Sequence, residues 1–138
     1  MAYTLGDPFR PLRLVLRMNG FFVGIVLGLL LLVAPRTLLA TWGIYESGPL
    51  WPLRMVGASQ LGLGIFFFLT ANQDYLSKFT LFTTVLTNGL LAIVLIAAYL
   101  QQELTGLSIV GQILFVLVFL LYLLGAVLPL RYIRGGGW

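Results

Sequence analysis

Eight basic and four acidic side chains punctuate the 138-residue chain so unevenly that four long stretches carry no charge at all. These are Met18–Pro35, Met55–Gln73, Phe79–Gln102 and Leu104–Leu130. A hydrocarbon layer about 30 Å thick is crossed by roughly 20 apolar helical residues, with a range near 17–25. Each stretch is long enough. The composition agrees, with 60% hydrophobic and only 9% charged residues, where a water-soluble domain carries about 25% charged. The mean hydropathy is +1.04. Lipid offers no partner to an open sheet edge and four strands cannot close a barrel, so each span must be helical. The expected fold is all-α: one integral membrane four-helix bundle of antiparallel up-down topology, with spans at about 18–35, 55–73, 79–102 and 104–130. An N-terminal arm over 1–17 and a loop over 36–54 flank the first span. Within that loop Gly43, Glu46, Gly48, Pro49 and Pro52 break the chain, while Leu38, Leu39 and Trp42 share a face if Thr37–Trp42 forms a short interfacial helix.

Orientation follows from the basic residues. With the N-terminus inside, Arg10, Arg13, Arg17, Lys78, Arg131 and Arg134 lie on the inner side and only Arg36 and Arg54 outside. Six against two places both termini in the cytoplasm. Trp42, Tyr45, Trp51 and Tyr99 then form an outer aromatic belt, and Tyr3, Phe9, Tyr75 and Tyr132 an inner one. Weak interfacial ion pairs are expected between Arg36 or Arg54 and Glu46 or Glu103, and between Asp74 and Lys78. Tyr122 falls well inside the fourth span and requires a hydrogen-bond partner there. The first span is longer than a signal-peptide core and lacks a small-x-small cleavage site, so it is expected to be retained as an anchor.

Membrane helices associate through close packing at small residues and through polar contacts. Gly20, Gly24 and Gly28 make a double small-xxx-small repeat in the first span. The second offers Ala58 with Gly62, and Gly57 with Gly64. A tight contact between these two antiparallel neighbours is therefore expected. In the third span Thr80, Thr84, Thr87 and Asn88 form a polar stripe, the threonines being able to bond back to their own helix. Asn88 lies ~14 Å from the inner edge at 1.5 Å per residue, deep enough that its amide should face the bundle. Gln60 and Gln112 lie at depths that let the two amides meet, with Ser108 near Gln112. Arg54 and Asn88 are the leading candidates for consequential polar contacts. Asn19-Gly20 and Asn88-Gly89 are half a chain apart, but the remaining spans do not continue the match, so no internal repeat is read.

The chain has no cysteine and no histidine, which removes disulfides, thiol catalysis, the usual haem and zinc ligands and the usual general base. None of the four carboxylates, Asp7, Glu46, Asp74 and Glu103, falls within a span. A proton-coupled small multidrug exporter requires one in its first helix. The reading is therefore a nonenzymatic protein with no metal site, no required cofactor and no nucleic-acid partner. Its partners are the lipid bilayer and other membrane subunits. Phe66, Phe67 and Phe68, and Phe115 with Phe119, are the residues suited to line an apolar guest such as lipid, quinone or carotenoid. The competing reading is a small transporter or channel lined by Thr80, Thr84, Asn88, Gln60 and Gln112.

Gly28 through Ala34-Pro35, Leu39 and Gly43, followed by Arg54-Met55-Val56-Gly57-Ala58 and Leu61-Gly62-Leu63-Gly64, resemble the DoxX-like small four-helix bacterial membrane proteins. The resemblance covers about half the chain. In that group a first helix ends at a proline, a loop follows, and the second helix opens with arginine and glycine. The resemblance implies a four-helix bundle in a bacterial inner membrane, sometimes associated with a quinone-linked oxidoreductase, and it carries over no catalytic residue. The expected function is that of a noncatalytic accessory or structural subunit of a larger membrane complex, with an energy-transducing complex among the settings it fits.

Overall fold

The computed structural model describes residues 9–45, 47–73 and 76–134. Among the described residues the chain is helical and contains no strand. Four helices are long and apolar enough to cross a membrane: α1 (Arg10–Val33), α3 (Trp51–Thr70), α4 (Lys78–Leu100) and α5, whose apolar window lies in Ile109–Ile133. A short α2 (Arg36–Thr41) follows α1, in the loop where the apolar face of Leu38 and Leu39 pointed to one.

Local chemistry sets the helix ends. Pro11 and Pro52 occupy the first turns of α1 and α3, where a missing N–H costs nothing. α1 stops at Val33 because Pro35 forces the residue before it, Ala34, into an extended conformation (φ −57°, ψ 137°). The Ser77 hydroxyl caps α4 by accepting from the Thr80 N–H at 3.1 Å. Two expected boundaries shift. α1 begins at Arg10 rather than Met18, so the latter part of the expected 1–17 arm is helical. Its three arginines are spaced so that the apolar Leu12 and Leu16 between them are buried. The fourth span begins at Ile109 rather than Leu104, because the chain turns through 101–108 with Gln102 at φ 59°.

The bundle consists of two antiparallel pairs, α1 with α3 and α4 with α5, and the pairs meet chiefly where α1 lies against α5. α1 is the central element. Thirty-nine per cent of its apolar window is buried, against 22% for each of the other three. The seam of the first pair is backbone against backbone. A Cβ added to Gly24 would lie 2.0 Å from Gly64 Cα, and one on Gly57 would lie 2.9 Å from Gly28 O. Gly20, Gly24, Gly28, Gly57 and Gly64 therefore pack as expected. Ala58 and Gly62 do not join them. Both are exposed on the opposite face of α3, and a Cβ on Gly62 would meet nothing within 4 Å. At 100° per residue, positions 57 and 64 share one face of a helix while 58 and 62 drift round to another.

Asn19–Val26, within α1, is π-helical, with the Leu27 N–H reaching back to Phe22 O. The wide turn lets two adjacent rows face inward at once. Gly20 and Gly24 lie against α3, while Asn19 bonds to α4 and Val23 packs with Ala92 and Tyr122.

Candidate functional site

Each long helix brings one polar side chain, from near the middle of its length, to a common centre: Asn19 from α1, Gln60 from α3, Asn88 from α4 and Tyr122 from α5. All four are buried, Asn88 completely and Asn19 to 2% exposure. Asn19 Nδ2 donates to Asn88 Oδ1 at 3.2 Å. Asn88 Nδ2 in turn donates to Thr84 O at 2.9 Å, and Thr84 Oγ1 to Thr80 O at 2.8 Å. Gln60 and Tyr122 line one small cavity beside Asn19. The centre thus ties the α1–α3 pair to the α4–α5 pair through the Asn19–Asn88 hydrogen bond. Gly125 makes the space, since a Cβ there would lie 2.1 Å from Asn19 Nδ2 and 2.8 Å from Asn88 Cγ.

Asn88 faces the bundle, as its depth requires. Its partner, Asn19, was not singled out by sequence. The asparagines of the two Asn-Gly pairs that make no repeat nonetheless meet in space, because α1 and α4 run parallel and carry positions 19 and 88 at equal depth, while Gly20 lies against α3. Gln60 and Gln112 are not brought together. Gln112 is exposed and donates to Leu107 O at 3.2 Å, beside a wide surface groove that also takes Phe115 and Tyr99. Gln60 instead faces Tyr122 across a small cavity that both side chains line. Ser108 donates to Trp42 O at 3.2 Å and so docks the 36–54 loop onto the start of α5.

The aromatic candidates do not surround one cavity. Phe67 is buried among Leu12, Leu16, Leu76 and Leu81, whereas Phe66 and Phe68 are exposed. Phe119 packs beside Tyr122 and Phe115 lines the surface groove. A separate groove of about 350 Å³, almost wholly apolar, runs between α1 and α5 along Phe22, Val26, Leu117 and Leu121.

Arg54, expected to make a consequential contact, donates from Nη1 to Leu31 O at 2.9 Å and from Nη2 to Ala34 O at 2.7 Å. Those carbonyls belong to the end of α1, where the helix leaves acceptors without intrahelical donors and its dipole is negative. The reverse contact closes the other end of the pair: Arg13 Nη1, in the first turns of α1, donates to Ala71 O at 3.2 Å and to Gln73 O, just past the end of α3. Arg17 adds a 2.7 Å bond to Asn72 Oδ1. α1 and α3 are therefore clamped reciprocally, each by an arginine from the first turns of the other. Sequence reasoning missed Arg13, although Pro11-Leu12-Arg13 and Pro52-Leu53-Arg54 repeat the arrangement. The tripeptide recurs at 129–131 inside α5, so alone it does not mark a clamp. Of the expected ion pairs, those involving Glu46 and Asp74 lie outside the described residues.

Comparison with family models, curated proteins and solved structures finds no match.

Proposed function

We propose that the protein is a noncatalytic integral membrane subunit that assembles with other membrane chains through the outer face of α3. The observation that carries this reading is the stripe formed by Ala58, Ser59 and Gly62, exposed back to back with the glycine seam that already holds α1. A helix needs one small-residue face to pack inside its own bundle, and α3 has two. The polar centre supports packing over conduction, since Thr84 and Asn88 are fully buried and spend their hydrogen bonds on the protein. The apolar groove between α1 and α5 suits a lipid acyl chain. The resemblance to DoxX-like proteins favours a bacterial inner membrane and a quinone-linked complex as the setting, and the excess of arginine at the Arg13 end favours cytoplasmic termini.

Native mass spectrometry of the protein extracted in mild detergent tests the reading. The wild-type chain is expected to carry a second membrane protein in stoichiometric amount, and Gly62→Leu to lose it while keeping wild-type thermal stability. A wild-type chain that is monomeric and alone, or a partner retained by Gly62→Leu, would count against it. Lipid extraction of the same sample tests for quinone.

A further inference from the structure

Asn19 Oδ1 is buried and has no hydrogen-bond donor within reach. The amide cannot turn over to cure this, because its Nδ2 is held by Asn88 Oδ1, and a flipped Asn19 would set two oxygens face to face. Asn88 cannot reverse either without losing its bond to Thr84 O. Asn19 lines a small cavity among the four long helices, together with Val23, Leu63, Phe67 and Leu91 and with the polar side chains Gln60 and Tyr122. About 10 Å³ of it is open to the centre of a water molecule, which is room for one.

We infer that this cavity is a binding site for a single water that donates to Asn19 Oδ1 and joins it to Gln60 and Tyr122. A buried water needs two to four polar partners and a site of about this volume, and Asn19, Gln60 and Tyr122 are the polar side chains on this one. The chemistry favours water over a monovalent cation of similar size. The side chains on the cavity are neutral amide, phenol and hydrocarbon, and an ion would lose its hydration with no carboxylate in the wall to replace it. With the water in place the polar centre becomes continuous from Thr84 through Asn88, Asn19 and Gln60 to Tyr122, so that all four long helices share one hydrogen-bonded network. The π-helical turn that begins at Asn19 is then the element that presents both the amide and the glycine seam to their partners. This inference is independent of the proposed assembly.

Solution NMR of the full chain in nanodiscs tests it. A water cross-peak to the Asn19 side-chain amide with the sign of a long-lived bound water is expected in the wild type. It should be lost in Gln60→Leu, and lost or strongly weakened in Tyr122→Phe, two variants that approach the site from different helices. Absence of the cross-peak while the Asn19 resonance is visible would overturn the inference, as would its persistence unchanged in both folded variants. Replacing sodium by potassium or ammonium chloride at constant ionic strength should leave the Asn19 shifts unmoved. A cation-dependent shift would overturn the water in favour of an ion.

Discussion

Gly125 shows how little room the centre of the bundle leaves. Alanine there would place a carbon 2.1 Å from the Asn19 amide nitrogen, and the nitrogen cannot retreat without breaking its bond to Asn88. Gly125→Ala is therefore expected to destabilise by about 1–3 kcal/mol through overpacking. Gly62→Ala, which adds the same methyl to open space, should stay within about 0.5 kcal/mol of the wild type. Thermal or denaturant unfolding in one detergent checks the contrast, and equal losses at the two sites would refute the packing of the polar centre. At this scale the sequence reveals which side chains turn inward, because an amide at mid-depth has no partner in lipid. It does not reveal which amides meet. The Asn19–Asn88 contact and the separation of Gln60 from Gln112 depend on how each helix is rotated about its own axis, and a slip of one residue turns a side chain by about 100°.

The paired arginines matter at the scale of whole helices. Arg54 supplies two donors to the carbonyl end of α1, and Arg13 does the same for α3. Hydrogen bonds from a charged donor contribute about 1.5–3 kcal/mol where they are shielded from solvent, and Arg54 is only partly buried. Arg54→Ala should consequently cost about 1–3 kcal/mol and speed amide hydrogen exchange in the last turn of α1, leaving the end of α3 protected. Arg13→Ala should show the mirror pattern. Exchange that rises equally at both ends in either variant would mean that the clamps do not act locally. Lysine at position 54 is expected to rescue only in part, because one ammonium does not match two carbonyls as a planar guanidinium does. Arg54 was legible as a site because it sits alone at the start of a span. Arg13 was not, since three arginines within eight positions read as a topogenic cluster, and the capping role appears only once α1 extends back to Arg10.

For the molecule as a whole, the absence of native cysteine makes sidedness directly measurable. Single cysteines at Ser47, Gln73 or Thr105, all exposed in connecting segments, can be probed with a membrane-impermeant thiol reagent on intact cells. The bias of basic residues predicts labelling at Ser47→Cys and Thr105→Cys, with Gln73→Cys protected until the membrane is opened. The reverse pattern would invert the proposed orientation. Labelling at all three in intact cells would contradict a single orientation.

Charge placement and hydropathy by themselves determined an all-α fold with four membrane-length spans, as the described residues show, because an uncharged run of that length has one low-energy arrangement in hydrocarbon. Glycine spacing also determined that the first and second spans approach closely. The division into two helix pairs with α1 at the centre emerged only in the tertiary structure. So did the outward turn of Ala58 and Gly62, the reciprocal arginine clamps and the joining of Asn19 to Asn88. The reason is common to all of them. In a chain so uniformly apolar, most helix faces are equally content against lipid or protein, so hydropathy does not choose between them. The choice falls to short-range contacts, such as a glycine that admits a backbone or an amide that finds another amide, and these exist only once the helices are placed together.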